Sequence, residues 1–102
     1  MSIVVVATIT PKPDHVDAVR EALLAAVPKV HAEPGCELYS LNEGKGEFVM
    51  VERWESAEAM KAHGSAEALT TLGGQLAGKL AAAPDVRRLT AVPAGDADKG
   101  AV

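Results

Sequence analysis

Glu52, Trp54 and His63 are the residues of this chain whose types and spacing suit chemistry. Glu52 and Trp54 sit two apart in Phe48-Val49-Met50-Val51-Glu52-Arg53-Trp54, a β-branched and aromatic run that predicts a strand. Strand residues two apart share a face, so Phe48, Met50, Glu52 and Trp54 point one way, and a carboxylate stands inside an apolar row. Val49, Val51 and Arg53 point the other way, onto a face that is also apolar. Two readings fit this row: a pocket wall that keeps one polar group, or a two-faced core with a carboxylate at its rim. With one Trp, one Tyr and one Phe in 102 residues, a lone Trp at a strand end is more than generic filling. His63 follows shortly after and is the best general base by type, since imidazole titrates near neutrality. Glu52 can orient His63, or accept a proton itself once an apolar setting raises its pKa.

The rest of the composition narrows the field. A chain of 102 residues with 48% hydrophobic and 24% charged content suits one soluble domain. Its formal net charge is −4, and Lys and Arg are scattered. No basic stripe is present to track phosphates, so nucleic acid is not an expected partner. The single cysteine, Cys36, excludes an internal disulfide and a multi-cysteine metal site, and it reads as a small buried hydrophobe. The run Ile3-Val4-Val5-Val6-Ala7 is too short to span a bilayer and has no basic leader before it, so a cytoplasmic protein is expected, with no membrane partner. Ser/His/Asp sets, phosphate-cradling glycine loops and metal-ligand spacings are absent from the sequence. His15 and His31 read as surface residues at the ends of a helix.

Those candidates need elements to hold them. Ile3 to Thr10 reads as a strand closed by Pro11 and Pro13. Asp14 is the expected cap of a first helix, in which Val16, Val19, Leu23, Ala26, Val27 and Val30 recur at helical spacing. Pro28 is expected to kink or shorten its last turn. Glu33-Pro34-Gly35 stops the helix, because Pro34 disfavours helical geometry before it and Gly35 accepts a positive φ. Cys36 to Asn42 forms a second strand, joined to the Trp54 strand through Glu43-Gly44-Lys45-Gly46 as a hairpin. Ser56 caps a short helix through His63, and Ser65 is the expected cap of another carrying the stripe Leu69, Leu72, Leu76, Leu80 and ending by Pro84. Val86 to Val92 is a fourth strand, and residues 93–102 form a tail expected to be disordered.

The order β-α-β-β-α-β is the ferredoxin-like split motif, an α+β fold with a four-stranded antiparallel sheet occupying residues 1–92. Helices cover one face only. The other is expected to present Val4, Val6, Tyr39, Leu41, Val49, Val51 and Leu89, which a second copy would bury by sheet-on-sheet packing. A homodimer follows from periodicity alone.

Within that order, Glu33-Pro34-Gly35-Cys36, Tyr39, Glu52-Arg53-Trp54-Glu55-Ser56 and Ala62-His63 resemble the antibiotic biosynthesis monooxygenase (ABM) domain, a dimeric α/β-barrel group that includes small quinol monooxygenases. The resemblance runs from about Ile3 to Val92. It implies oxygenation of a phenolic, quinol-type or polyketide-like aromatic by dioxygen without flavin, haem or metal, in a pocket between sheet and helices with Trp54 on its wall. Three departures accompany it. Met50 stands where a polyketide-tailoring member has an Asn, and Ala68 and Leu69 replace a His and a Phe common in the family. The His and Asn of haem-degrading relatives fall near Gly73 and Ala7, neither of which can serve those roles, which disfavours haem chemistry.

On this reading His63, helped by Glu52, deprotonates a phenol whose pKa lies near 10, and Trp54 stacks on its ring. Met50, Leu69, Leu72 and Ala7 supply the substrate-binding walls. The rival is a non-catalytic dimer that holds a small hydrophobic ligand in the same pocket. A purely structural dimer is the third possibility, disfavoured because a polar group in the pocket-facing row then has no purpose. Tyr39 is expected at the dimer interface.

Overall fold

Alternating burial along the Trp54 strand shows which way the sheet faces. In a computed structural model describing residues 2–102, β3 (Glu47–Trp54) alternates half-buried and buried residues along its whole length. It pairs on one side with β1 (Ile3–Ile9) and on the other with β2 (Cys36–Gly44), while β4 (Asp85–Leu89) adds outside β1. The four-stranded sheet has the order β2-β3-β1-β4, with every pair antiparallel. Helix α1 (Val16–His31) follows a 3-10 turn at Pro13–His15, and the second helical segment is split into α2 (Ala57–Gly64) and α3 (Glu67–Leu76). This is the ferredoxin-like α+β arrangement read from the sequence. No helix of the described residues is long and apolar enough to cross a membrane.

Cross-strand register puts Phe48, Met50, Glu52 and Trp54 opposite Ile9, Ala7, Val5 and Ile3, and these eight share the helix-covered side. The core there falls into two clusters. One gathers Ile9, Val19, Leu23, Phe48, Leu72 and Leu76. The other gathers Val5, Ala7, Val30, Tyr39, Met50, Trp54 and Ala68.

Tyr39 and Leu41 differ from their expected side. A register irregularity between Cys36 and Leu38 inserts one residue, after which Tyr39 faces Glu52 and Leu41 faces Met50. One extra residue reverses every side chain beyond it, since the strand period is two. Tyr39 is therefore buried under the helices at 5% exposure, while Val4, Val6, Val49, Val51 and Leu89 keep the outer face assigned to them.

Helix boundaries shift for local reasons. The 3-10 turn displaces Asp14 from the cap of α1, whose cap residue is His15, without a side-chain hydrogen bond. The helix also continues through Pro28 to His31; Pro28 and Leu24 lie on its exposed side, where water can take the carbonyl that the proline ring leaves without a donor. Ala66 rather than Ser65 occupies the cap position of α3. That helix ends at Leu76, with Gly78 at φ +77°, so Leu80 joins the core from a bridge to Pro11 and not from the helix stripe. In the tail, the Asp96 carboxylate accepts the backbone N–H groups of Asp98 and Lys99 at 2.8 and 3.1 Å.

Candidate active site

The turn after α1 and the start of α2 fit against each other through Gly35. Gly35 has φ +81°, and a Cβ there would lie 2.5 Å from the Cβ of Ala59, so only glycine fits the approach. Its carbonyl accepts the Glu55 N–H at 2.9 Å, which ties the turn to the end of β3. Ser56 Oγ accepts the Ala59 N–H at 3.1 Å and caps α2 as expected. These contacts bring Glu33, on the turn, against His63, in the last turn of α2.

His63 is the centre of the arrangement. Its Nδ1 lies 2.9 Å from Glu33 Oε1, and its Nε2 lies 3.9 Å from Glu52 Oε1. Its ring stacks on Trp54 with centroids 4.5 Å apart and takes the Tyr39 ring edge-on at 5.5 Å. Trp54 Nε1 donates to Glu52 Oε1 at 2.9 Å. His63 and Glu52 are both buried, at 7% and 5% exposure, and Glu33 Oε2 is buried without a hydrogen-bond partner among the described residues. A carboxylate against Nδ1 fixes the tautomer with the proton on that nitrogen, which leaves the Nε2 lone pair free.

Burial pushes the Glu52 carboxyl above its ordinary value, with the Glu33 charge adding to the rise; the Trp54 N–H and His63 act in the opposite direction. The Tyr39 phenol is raised above its ordinary value of 10, first by burial and then by Glu52 and Glu33. Tyr39 is thus a neutral hydroxyl at physiological pH, able to donate a hydrogen bond but not to act as a base.

A cavity of about 440 Å³ opens beside this cluster, large enough for a ligand of two or three rings. Ala7 and Met50 line it from the sheet, Met60, Leu69 and Leu72 from the helices, and Tyr39, Glu52 and His63 form its polar corner. Among the sequence candidates, Ala7, Met50, Glu52, His63, Leu69 and Leu72 all reach this space. Trp54 does not line it: fully buried, it lies behind His63 and Glu52 and holds both. Gly73, near which the resemblance would put a haem-ligating histidine, is part of the wall and offers no ligand. No three of His, Cys, Asp and Glu gather as a metal-ligand set among the described residues.

Sequence reasoning missed Glu33 and placed Tyr39 on the wrong face. Glu33 read as part of a helix stop, and the available signal was an acid in a turn that already required its glycine. For Tyr39 no periodicity could reveal the bulge.

Similarity to known proteins agrees with the architecture. The sequence model for the family described as antibiotic biosynthesis monooxygenase matches residues 2–72. Rv0793 of Mycobacterium tuberculosis, whose name carries a provisional monooxygenase assignment, is 38% identical over 63 residues, or 60% of this chain, and the match spans 62% of that relative's length. The solved structure of Rv0793 superposes with a TM-score of 0.84 at 30% identity, covering 95% of this chain and 99% of the other. A Caulobacter crescentus structure provisionally assigned as an antibiotic biosynthesis monooxygenase gives a TM-score of 0.83 at 32% identity, covering 89% and 90%. PA3566 of Pseudomonas aeruginosa gives 0.83 at 26% identity, covering 89% and 94%. With the family's sequence pattern over most of its length and its fold over nearly all of it, the chain belongs to the antibiotic biosynthesis monooxygenase family.

Proposed function

We propose that this protein is a cofactor-independent monooxygenase that oxidises a quinol or phenolic aromatic with dioxygen. The observation that carries this reading is the buried line Glu33–His63–Glu52 at the corner of a largely apolar cavity. A substrate hydroxyl at that corner gives its proton to His63 Nε2, and the imidazolium is then held between two carboxylates. Tyr39 donates a hydrogen bond to the substrate oxygen as its charge grows, and Trp54 fixes Glu52 through its N–H and backs the His63 ring. Met50, Leu69 and Leu72 keep water from the anion.

The remaining chemistry belongs to the substrate. The delocalised anion passes one electron to dioxygen, the radical pair combines at a ring carbon, and the hydroperoxide loses water to leave a carbonyl. For a quinol the net change is quinol plus dioxygen to hydroxyquinone plus water. All four electrons come from the substrate, so no external reductant is needed. In this reading two copies pack through the outer sheet faces bearing Val6, Val49 and Val51, whose apolar side chains suit sheet-on-sheet contact.

The test is oxygen uptake by chelator-treated protein with a panel of reduced quinols and anthrone-type phenols, corrected for autoxidation, with isotopic dioxygen to follow the oxygen into product. Saturable uptake and one labelled oxygen in the product support the monooxygenase. Tight binding without uptake replaces it with a binding module for a small hydrophobic ligand. Sedimentation of the wild type against Val51→Asp tests the dimer.

A further inference from the structure

The cavity has one charged group that the proposed chemistry leaves unused. Strand β4 alternates its side chains: Asp85, Arg87 and Leu89 turn outward, opposite Thr8, Val6 and Val4, while Val86 and Arg88 turn inward, opposite Ala7 and Val5. Arg87 pairs with Asp85 at 3.1 Å. Arg88 lines the cavity and makes no ion pair among the described residues, because the acid nearest it in sequence, Asp85, lies on the other face of the strand. Arg88 is the only cationic side chain on a wall that is otherwise apolar apart from Tyr39, Glu52 and His63.

Its position is defined by register. Glu52 and Arg88 both pair with Val5, from opposite sides, so the three form one row across the sheet. Two strand spacings separate the outer members, about 10 Å between their Cα atoms. Glu52 forms no ion pair with the guanidinium; its Oε1 accepts from Trp54 and approaches His63. A guanidinium stays charged at any working pH and presents a planar fork suited to a carboxylate.

We propose that the ligand of this cavity is an aromatic acid: its hydroxyl lies at His63, and a carboxylate on the far edge of the ring system meets Arg88. This inference rests on the reading of the cavity as a site for a phenolic compound, and it adds the chemical class that Arg88 selects. One or two fused rings fill the intervening space along Val5 and Ala7, against Met50 and Leu72.

Binding separates this proposal from the proposed reaction. Calorimetric titration under nitrogen compares 6-hydroxy-2-naphthoate with its methyl ester, which keeps the rings and the hydroxyl but lacks the charge. The acid is expected to bind the wild type about tenfold more tightly than the ester. Arg88→Gln should remove that preference and leave ester affinity unchanged, Arg88→Lys should retain part of it, and raising the salt concentration should shrink it. Equal affinity for acid and ester, a preference that survives Arg88→Gln, or no binding of either compound overturns the proposal and leaves Arg88 a solvated edge-strand cation. Oxygen uptake from an uncharged quinol is read separately, so the monooxygenase reading can fail while the acid preference stands, and the reverse.

Discussion

Phe48 and Trp54 occupy opposite ends of β3, on the same face, and both are closed to water. Their surroundings differ completely. Phe48 sits among Ile9, Val19, Leu23 and Leu76, a cluster without a buried polar side chain. Trp54 sits where a glutamate and a histidine are buried beside it, tied together by its own N–H and ring face. One strand therefore joins a region built for packing to a region that holds desolvated titratable groups in a fixed geometry. Burying Glu52 and His63 opposes folding unless each is partnered: Trp54 serves Glu52 from the same strand, and Glu33 reaches His63 from the turn after α1. The apolar end supplies the stability that lets the polar end exist.

This contrast predicts distinct responses to substitution. The largest effect is expected on turnover from His63→Gln, which keeps a donor for Glu33 but removes the base: a fall of about 10²–10⁴-fold, well beyond what the accompanying loss of urea stability explains. Full turnover in that variant would move the chemistry away from this end. Phe48→Ala should act oppositely, lowering stability by about 3–5 kcal/mol in urea unfolding while the folded fraction keeps its ligand affinity. If affinity fell as far as stability, the two ends would not be separable.

Smaller effects sharpen the same division. Trp54→Phe leaves Glu52 Oε1 without its buried donor and should cost about 1–3 kcal/mol. It should also move the Glu52 titration further upward, as followed by carboxyl chemical shifts, because the N–H that lowers it is gone. The last prediction concerns pH. The Glu52 carboxyl is raised by burial above 4.5, so the folded state holds that proton more tightly than the unfolded chain does. Its contribution to stability is fully present below 4.5 and is lost as pH rises through the raised folded value. Glu52→Gln should flatten that part of the pH–stability profile, and an unchanged slope would show that Glu52 is not the group responsible.

Much of this was legible in the residues themselves. Alternation in Phe48–Trp54 revealed both faces of β3, and Ser56 announced the helix that carries His63, because side-chain period and cap chemistry are local properties. Partnerships across the fold were not legible. Glu33 becomes the partner of His63 only when the Gly35 turn closes on Ala59, and a contact at that separation leaves no periodic trace. Tyr39 escaped for a different reason: a one-residue bulge reverses facing without changing composition. Trp54 was legible as buried, but whether it faced a ligand or another side chain depended on where α2 came to rest.

Helix α2 has His63 as its one buried residue, and in the proposed reaction His63 is also the group that takes up the proton. If that reaction holds, a short helix anchored by a titratable ring is gripped with a strength that varies through the catalytic cycle. Neutral imidazole offers Glu33 one hydrogen bond, whereas imidazolium faces negative charge on both sides. Proton uptake from a ligand should therefore tighten α2 onto the turn at Gly35, and product release should loosen it. Backbone amide exchange in Ala57–Gly64 should slow when the cavity is filled by a compound that surrenders its proton, and should not slow for the O-methylated analogue. The base would then report, through the opening rate of its own helix, whether it is charged.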